Sequence, residues 1–155
     1  MTEAHDTHGP GVRIPPPVMV GATILAAWLL MRLAPVPLGP PLLPLGNTVL
    51  FLALALIGWA ILAMSRAGTD IRPDRPDAAL IETGPFRFGR NPIYLGFLLC
   101  AAGFALRWGD LWGWIAVAVS FGLLERLVIA REEAYLAARF GAAYEAYRAR
   151  VRRWM

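Results

Sequence analysis

Four stretches of this chain are too apolar to be left in water, and that fact constrains its fold more than any other. They run from Val18 to Leu33, from Thr48 to Ser65, from Pro92 to Leu106, and onward from Leu111. Inside hydrocarbon a backbone amide has no water to bond, so a spanning segment satisfies its own hydrogen bonds, most simply as a helix. The Thr48 to Ser65 run carries no charge, and at about 1.5 Å per residue it comes close to the roughly 30 Å apolar layer. The Pro92 run is short and calls for less tilt, extension at its ends or a thinned bilayer. Composition agrees: 57% of the 155 residues are hydrophobic, and a soluble domain of this size would bury much less apolar material. The expected architecture is an all-α membrane protein with about four transmembrane helices and a C-terminal cytoplasmic helical extension. One domain is the natural count, over residues 15–155, behind a flexible polar tail at 1–14.

The punctuation between the runs is local. Pro15-Pro16-Pro17 suits a helix start, where the first amides lack partners in any case. The stretch Pro35 to Pro41 blocks a helix and should lie at the interface or bend back across it. Residues 66–90 form a polar loop with five arginines and three prolines. Arg107-Trp108-Gly109-Asp110 reads as a tight turn; Gly109 and Gly113 there make a weak helix-contact pattern that chance explains well. Glu125-Arg126 interrupts the fourth run, yet the helical pattern continues through Glu132, Glu133 and Leu136 to Phe140, with Gly141 as a C-cap. A last helix, Ala142 to Val151, puts Tyr144, Tyr147 and Val151 on one stripe.

All 15 basic residues are arginine. With four spans, one side holds Arg13, the five loop arginines and seven from Arg126 onward, and the other only Arg32 and Arg107. The positive-inside rule then puts both termini and the 66–90 loop in the cytoplasm, in a multi-pass protein of the cell (inner) membrane. No cleavable signal peptide is evident in the polar first residues. The basic C-terminus reads as a patch beside anionic membrane lipids, with Trp154 as an interfacial anchor, and not as a nucleic-acid site. His5 and His8 read as solvent-exposed, so no metal is expected. The lone Cys100 lies in an apolar run and packs.

Two charged clusters flank the second hairpin. One is Gly84-Pro85-Phe86-Arg87-Phe88-Gly89-Arg90-Asn91-Pro92-Ile93-Tyr94-Leu95-Gly96; the other is Glu132-Glu133. Taken alone, the two glutamates are an ordinary solvated helix face with Arg131 and Arg139. Together with Arg90, Tyr94 and the free amides of a helix beginning at Pro92, they bring positive, aromatic and negative groups to one place. A zwitterionic, cationic cofactor needs that mixture: arginine for a carboxylate, glutamate for an ammonium or ribose hydroxyls, an aromatic face for a sulfonium. Glu125 lies seven positions before Glu132, on nearly the same helix face. It is either a functional acid or an interfacial residue paired with its neighbours, and both readings stay open.

The ordered set Thr83-Gly84-Pro85-Phe86-Arg87-Phe88, Arg90-Asn91-Pro92-Ile93-Tyr94-Leu95-Gly96, Arg131-Glu132-Glu133 and Phe140-Gly141 with Tyr144 and Tyr147 resembles the isoprenylcysteine carboxyl methyltransferase and phospholipid methyltransferase superfamily. These are integral membrane enzymes that use S-adenosylmethionine. The match covers roughly residues 66–154, the half expected to bind cofactor. It implies a cofactor site drawn from Arg87, Arg90, Asn91, Tyr94, Gly96, Glu132, Glu133 and Tyr144, with Tyr144 and Tyr147 in a lid and a lipophilic methyl acceptor arriving from the bilayer. Arg90 would hold the cofactor carboxylate or orient the loop, Tyr94 would pack or hydrogen-bond against it, and Glu132 would take its ammonium or ribose.

Two departures matter. Asn91 stands where the family often has histidine, so this position can hydrogen-bond but cannot titrate near neutrality. Val151 is followed by Arg152, not by the proline often seen there. Methyl transfer is an in-line displacement in which the enzyme mainly aligns the partners and excludes water. An amine acceptor must also lose a proton, and Glu125 is the candidate base if burial raises its pKa; Arg90 and Glu125 are thus the catalytic candidates. Two rival classes were weighed. A sterol-reductase-like membrane reductase is disfavoured by the short chain and the lack of a Gly-x-Gly-x-x-Gly loop. A non-catalytic membrane adaptor would use the basic face alone. The acceptor and the oligomeric state are not readable from the chain.

Overall fold

The computed structural model describes residues 14–68 and 80–155. The expected tail with His5 and His8, and residues 69–79 of the 66–90 loop, lie outside the described residues. The rest is helical: α1 (Pro16–Leu33), α2 (Leu43–Arg66), α3 (Pro92–Trp108), α4 (Leu111–Leu123), a π-helical segment (Leu124–Ile129), α5 (Ala130–Phe140) and α6 (Ala142–Arg150), with a 3-10 turn at Gly84–Arg87. Two helices, α1 and α2, and the continuous Leu111–Phe140 stretch are long and apolar enough to cross a bilayer; α3, with 17 residues, is the short one. The expected all-α membrane architecture with three to four spanning helices is therefore what the chain forms.

The helices pack as antiparallel neighbours in the order α2, α3, α4, α1. Between α2 and α3 the contact is backbone-close. Gly46, Ala53 and Ala60 recur every seventh residue on α2, and Gly96 and Gly103 do so on α3; all five are buried. A Cβ on Gly46 would meet the Gly103 carbonyl oxygen at 2.8 Å, and one on Gly103 would meet Leu50 Cγ at 2.7 Å. In lipid the hydrophobic effect does not drive helices together, so such small-residue seams supply the van der Waals contact that does. Gly113 plays the same part for α3 and α4, with Ala105 Cα 2.7 Å from where its Cβ would stand. Of the Gly109 and Gly113 pair, only Gly113 is a helix contact; Gly109 ends α3 against the linker.

The outer face differs. Phe51 is 70% and Leu54 64% exposed. Side chains this apolar, on helices this long, face lipid. Between α1 and α4 the Thr23 and Ser120 hydroxyls share a hydrogen bond of 2.6 Å, which satisfies both polar groups within the bundle.

At one end the Pro-rich linker after α1 is pinned to the turn between α3 and α4. Leu38 N–H donates to Gly109 O (2.8 Å), Leu42 N–H to Leu106 O (2.8 Å) and Leu111 N–H to Val36 O (2.9 Å). Asp110 caps α4 by accepting from Trp112 N, and its other oxygen accepts from Val36 N at 2.7 Å. Gly109 ends α3 at φ 62°, in the left-handed region. The irregular linker satisfies its backbone through these bonds, as a non-helical segment near a bilayer must.

At the other end, Met19 and Val20 of α1, Tyr94 and Leu98 of α3, and Leu124 and Val128 of the π segment form a buried core. Among the described residues, every arginine except Arg32 and Arg107 belongs to this end. The π segment was not foreseen. A π turn takes about one residue more than an α turn, so the face seven residues beyond Glu125 is no longer its own. The partner it shares lies eight residues on, at Glu133, as the site geometry makes plain.

A polar pocket at one end of the bundle

The start of α3, the end of α2, α5 and α6 enclose a pocket of about 530 Å³, part of it continuous with solvent. Its polar lining is Arg90, Asn91, Glu132, Glu133, Tyr144 and Tyr147; Met64, Ile81, Phe86 and Leu136 supply much of the apolar wall.

The two charged clusters of the sequence meet here. Arg90 Nη2 donates to Glu133 Oε1 at 2.7 Å, and the Tyr94 hydroxyl donates to Glu132 Oε2 at 2.7 Å. The Arg90 and Glu133 side chains are only 9% and 13% exposed. A pair so sheltered needs further hydrogen bonds to offset its desolvation, and it has them. Arg90 Nη1 donates to the carbonyls of Val151 (2.9 Å) and Arg148 (3.2 Å). Arg153 grips Glu133 with two nitrogens, Nε to Oε1 at 3.1 Å and Nη2 to Oε2 at 2.6 Å.

The chain leaves α6 in extended geometry at Val151 and returns over Gly89, Arg90 and Asn91. Arg90 N–H donates to Arg152 O at 2.9 Å, and Asn91 Nδ2 to Arg153 O at 3.2 Å. The approach is close enough that a Cβ on Gly89 would meet Met155 N at 3.0 Å. The stripe expected on the last helix is real: Tyr144, Tyr147 and Val151 are buried against Leu80, Leu136 and Phe140. Tyr147 reaches out of it to donate its hydroxyl proton to Phe86 O at 2.7 Å.

Two buried polar atoms in the pocket wall have no hydrogen-bond partner among the described residues: Arg90 Nε and the Tyr144 hydroxyl. An orphaned buried donor costs about 1–3 kcal/mol, so each is a position where a ligand's acceptor would be favoured. Burial, reinforced by the Glu133 charge, pushes the Tyr144 pKa up from 10.0 to about 12. Burial also raises that of Tyr147. Both phenols stay protonated, hence donors, at physiological pH. The sign for stability follows. Below pH 10 Tyr144 is protonated folded or unfolded; between about 10 and 12 only the unfolded chain ionises. A urea titration series should show stability falling across that window, and falling less steeply in Tyr144→Phe.

The expected site residues divide. Arg90, Asn91, Glu132, Glu133 and Tyr144 line the pocket. Tyr94 sits behind it, 9% exposed in the core, and reaches the lining only through its hydrogen bond to Glu132. Three others are displaced. Arg87 is solvent-exposed with its guanidinium over the Phe88 ring. Gly96 lies in the α2–α3 seam against Ile57 and the Ala53 carbonyl; its role is close packing. Glu125 lies outside the pocket lining and is paired: one oxygen accepts from Arg153 Nη1 and the other from Trp154 Nε1, each at 2.9 Å.

Sequence reasoning missed Met64, Ile81 and Phe86, whose apolar side chains gave no sign of a site, and it missed Arg153. The one signal for Arg153 was the arginine pair that replaces the expected proline.

These features define a class: a multi-pass helical membrane protein with a mixed-charge pocket where its last helices fold over the mouth of a hairpin. The family model for phospholipid methyltransferases matches residues 43–143, more than half of the chain, from the start of α2 to the start of α6. The chain belongs to the phospholipid methyltransferase family, and membership implies a membrane methyltransferase. It is also 36% identical over 63 residues to an uncharacterized protein of Haemophilus influenzae, a match covering 41% of this chain and all of that protein. No solved structure matches significantly.

Proposed function

We propose that this protein transfers a methyl group from S-adenosylmethionine to a lipid or lipid-like acceptor at the cytoplasmic face of the cell membrane. The observation that carries the reading is the pair of buried, unpartnered donors, Arg90 Nε and the Tyr144 hydroxyl, in a pocket that also holds Glu132 and Glu133. The residues fit the cofactor. Arg90 and Tyr144 are donors for a carboxylate or hydroxyl, the glutamates accept from an ammonium or ribose, and Phe86 and the tyrosines offer aromatic faces to a cation. When bound, the cofactor supplies an electrophilic methyl on sulfonium. The protein's part is to bind, to orient and to keep water out. Arg90 keeps its guanidinium fixed on Glu133 and two carbonyls, so little ordering is left to do on binding. Tyr94 fixes the Glu132 carboxylate. The Met64, Ile81, Phe86 and Leu136 wall excludes water. Asn91 cannot titrate near pH 7, so proton removal from an acceptor does not fall to it. The arginine asymmetry between the two ends supports the cytoplasmic orientation, and the lipid-facing bundle supports an acceptor that arrives from the bilayer.

Calorimetry with S-adenosylhomocysteine on detergent-solubilised protein tests the reading. Wild type should bind; Tyr94→Ala and Glu132→Ala should abolish binding. Tyr144→Phe is the sharper variant. Removing a hydroxyl that has no partner among the described residues leaves stability unchanged or slightly raised, yet binding should weaken by about tenfold, the value of one hydrogen bond. No heat with wild type, or equal affinity in all four proteins, would reject the assignment. Membranes of expressing cells incubated with methyl-labelled cofactor then identify the acceptor by the mass of the labelled lipid-soluble species.

A further inference from the structure

We infer that the segment Val151–Trp154 is a positioning strap for the pocket, and that Arg153, acting through Glu133 and Arg90, sets the affinity for the methyl donor; the inference rests on the function proposed above. Arg153 commits all three guanidinium nitrogens to two carboxylates, Nε and Nη2 to Glu133 and Nη1 to Glu125. That joins the strap to the π segment and to α5 at once. Trp154 adds a second attachment to the same acid through Nε1, with its ring 5.6 Å from that of Phe121. The strap backbone in turn holds the pocket: the Val151, Arg152 and Arg153 carbonyls accept from Arg90 Nη1, Arg90 N and Asn91 Nδ2.

The charges explain why one arginine can do this. Glu125, Glu133, Arg90 and Arg153 form a closed group of two acids and two bases, each acid bonded to Arg153. The acids hold the Arg153 guanidinium charged, chiefly through the Glu133 hydrogen bonds. Without Arg153, Glu125 and Glu133 repel each other across the turn that the π segment brings together, and Glu133 keeps only Arg90. Arg90 is then drawn with Glu133 against only its Val151 and Arg148 carbonyl bonds, and the donor pair Arg90 Nε and Tyr144 loses its spacing. Losing one or both of these donors to a bound ligand weakens binding by about tenfold each.

The test uses the full chain in detergent, with Arg153→Gln, Glu125→Gln, the pair combined, and Trp154→Phe, which keeps an aromatic ring at the position and removes the indole N–H together with its five-membered ring. Two readouts are taken: S-adenosylhomocysteine affinity, and hydrogen exchange at the Arg90 amide, which donates to the strap. Arg153→Gln should weaken binding roughly 10- to 100-fold and speed Arg90 exchange at least about tenfold. Trp154→Phe should give a smaller change of the same sign. The combined variant should lose little more than Arg153→Gln alone, because the two residues act as a unit. In turnover measured over a range of cofactor concentrations, Glu125→Gln should raise the cofactor KM and leave kcat and its pH profile as in wild type. A lowered kcat with a shifted pH profile at unchanged cofactor affinity would make Glu125 a base and overturn the strap. Unchanged affinity and Arg90 exchange in both Arg153→Gln and Trp154→Phe would overturn it too. If wild type itself fails to bind, the functional reading falls, while Arg90 exchange in Arg153→Gln still decides whether the strap exists.

Discussion

Glu133→Ala should lower the thermal midpoint of the solubilised protein by roughly 6–12 °C and abolish S-adenosylhomocysteine binding. Three of the side-chain hydrogen bonds that build the pocket end on this carboxylate: one from Arg90 and two from Arg153. Truncation leaves two guanidiniums facing an empty space. The Arg90 side chain is 9% exposed, so it cannot recover its hydration without leaving the pocket. Breaking a buried pair by deleting one partner costs about 3–5 kcal/mol. Arg153 is 39% exposed and recovers some water, which places the expected loss near 3 kcal/mol; at about 2–4 °C per kcal/mol for a chain of this size, the stated shift follows. Glu133→Gln keeps the shape and one acceptor, so it should lose less stability than Ala while still binding poorly. Differential scanning fluorimetry and calorimetry on the two variants check the pair of values. A Glu133→Ala protein as stable as wild type would mean that the ion pairs do not form.

The second large effect is expected at Gly46→Leu, far from the pocket. Any side chain there must displace Arg107 Cγ and the Gly103 carbonyl oxygen, the latter 2.8 Å from the first added carbon. Backbone cannot swing aside as a side-chain tip can, so α2 and α3 have to separate. Overpacking costs about 1–3 kcal/mol even where side chains can adjust; with a carbonyl in the way, the upper end of that range or beyond is expected. Because α3 carries Tyr94 at its other end and follows directly on Arg90 and Asn91, cofactor affinity should fall along with stability. Gly58→Leu is the matched control on the same helix. Nothing lies within 4 Å of the Gly58 Cβ position, and a leucine there meets lipid. Its stability should equal or exceed that of wild type, since glycine is the poorer helix former by about 1 kcal/mol. Equal loss in the two variants would contradict the seam.

Much of this arrangement is legible in the residue order, for reasons that are local. The apolar runs had to become helices because lipid offers the backbone no alternative. Pro92, Gly109 and Gly141 mark their ends by backbone geometry alone, and α3 ends two residues past the expected Leu106. Arg90, Tyr94, Glu132 and Glu133 were brought together by the hairpin as the two clusters required. What could not be read were the features that other segments impose. The π segment has no local signature: Leu124 to Ile129 would be unremarkable in an α-helix, and only the docked strap turns Glu125 toward Arg153. Gly96 sits inside the same motif as Arg90 and Tyr94, but whether a glycine faces a ligand or a neighbouring helix depends on the far side of the seam. Arg153 looked like one more cation near a membrane surface until its three nitrogens could be traced.

The helix order has a consequence for biogenesis. Among the spanning helices α1 packs chiefly on α4, and far less on α2, which follows it in sequence. A ribosome therefore delivers the first transmembrane segment long before its partner exists. Until α4 is made, α1 has only its smaller contact with α3, with the Thr23 hydroxyl lacking Ser120 and the Pro-rich linker lacking the start of α4 that later pairs with it. Assembly must finish by lateral capture of a waiting helix, and a chain stalled between α3 and α4 would present to the membrane quality-control machinery a helix that is inserted but unclaimed.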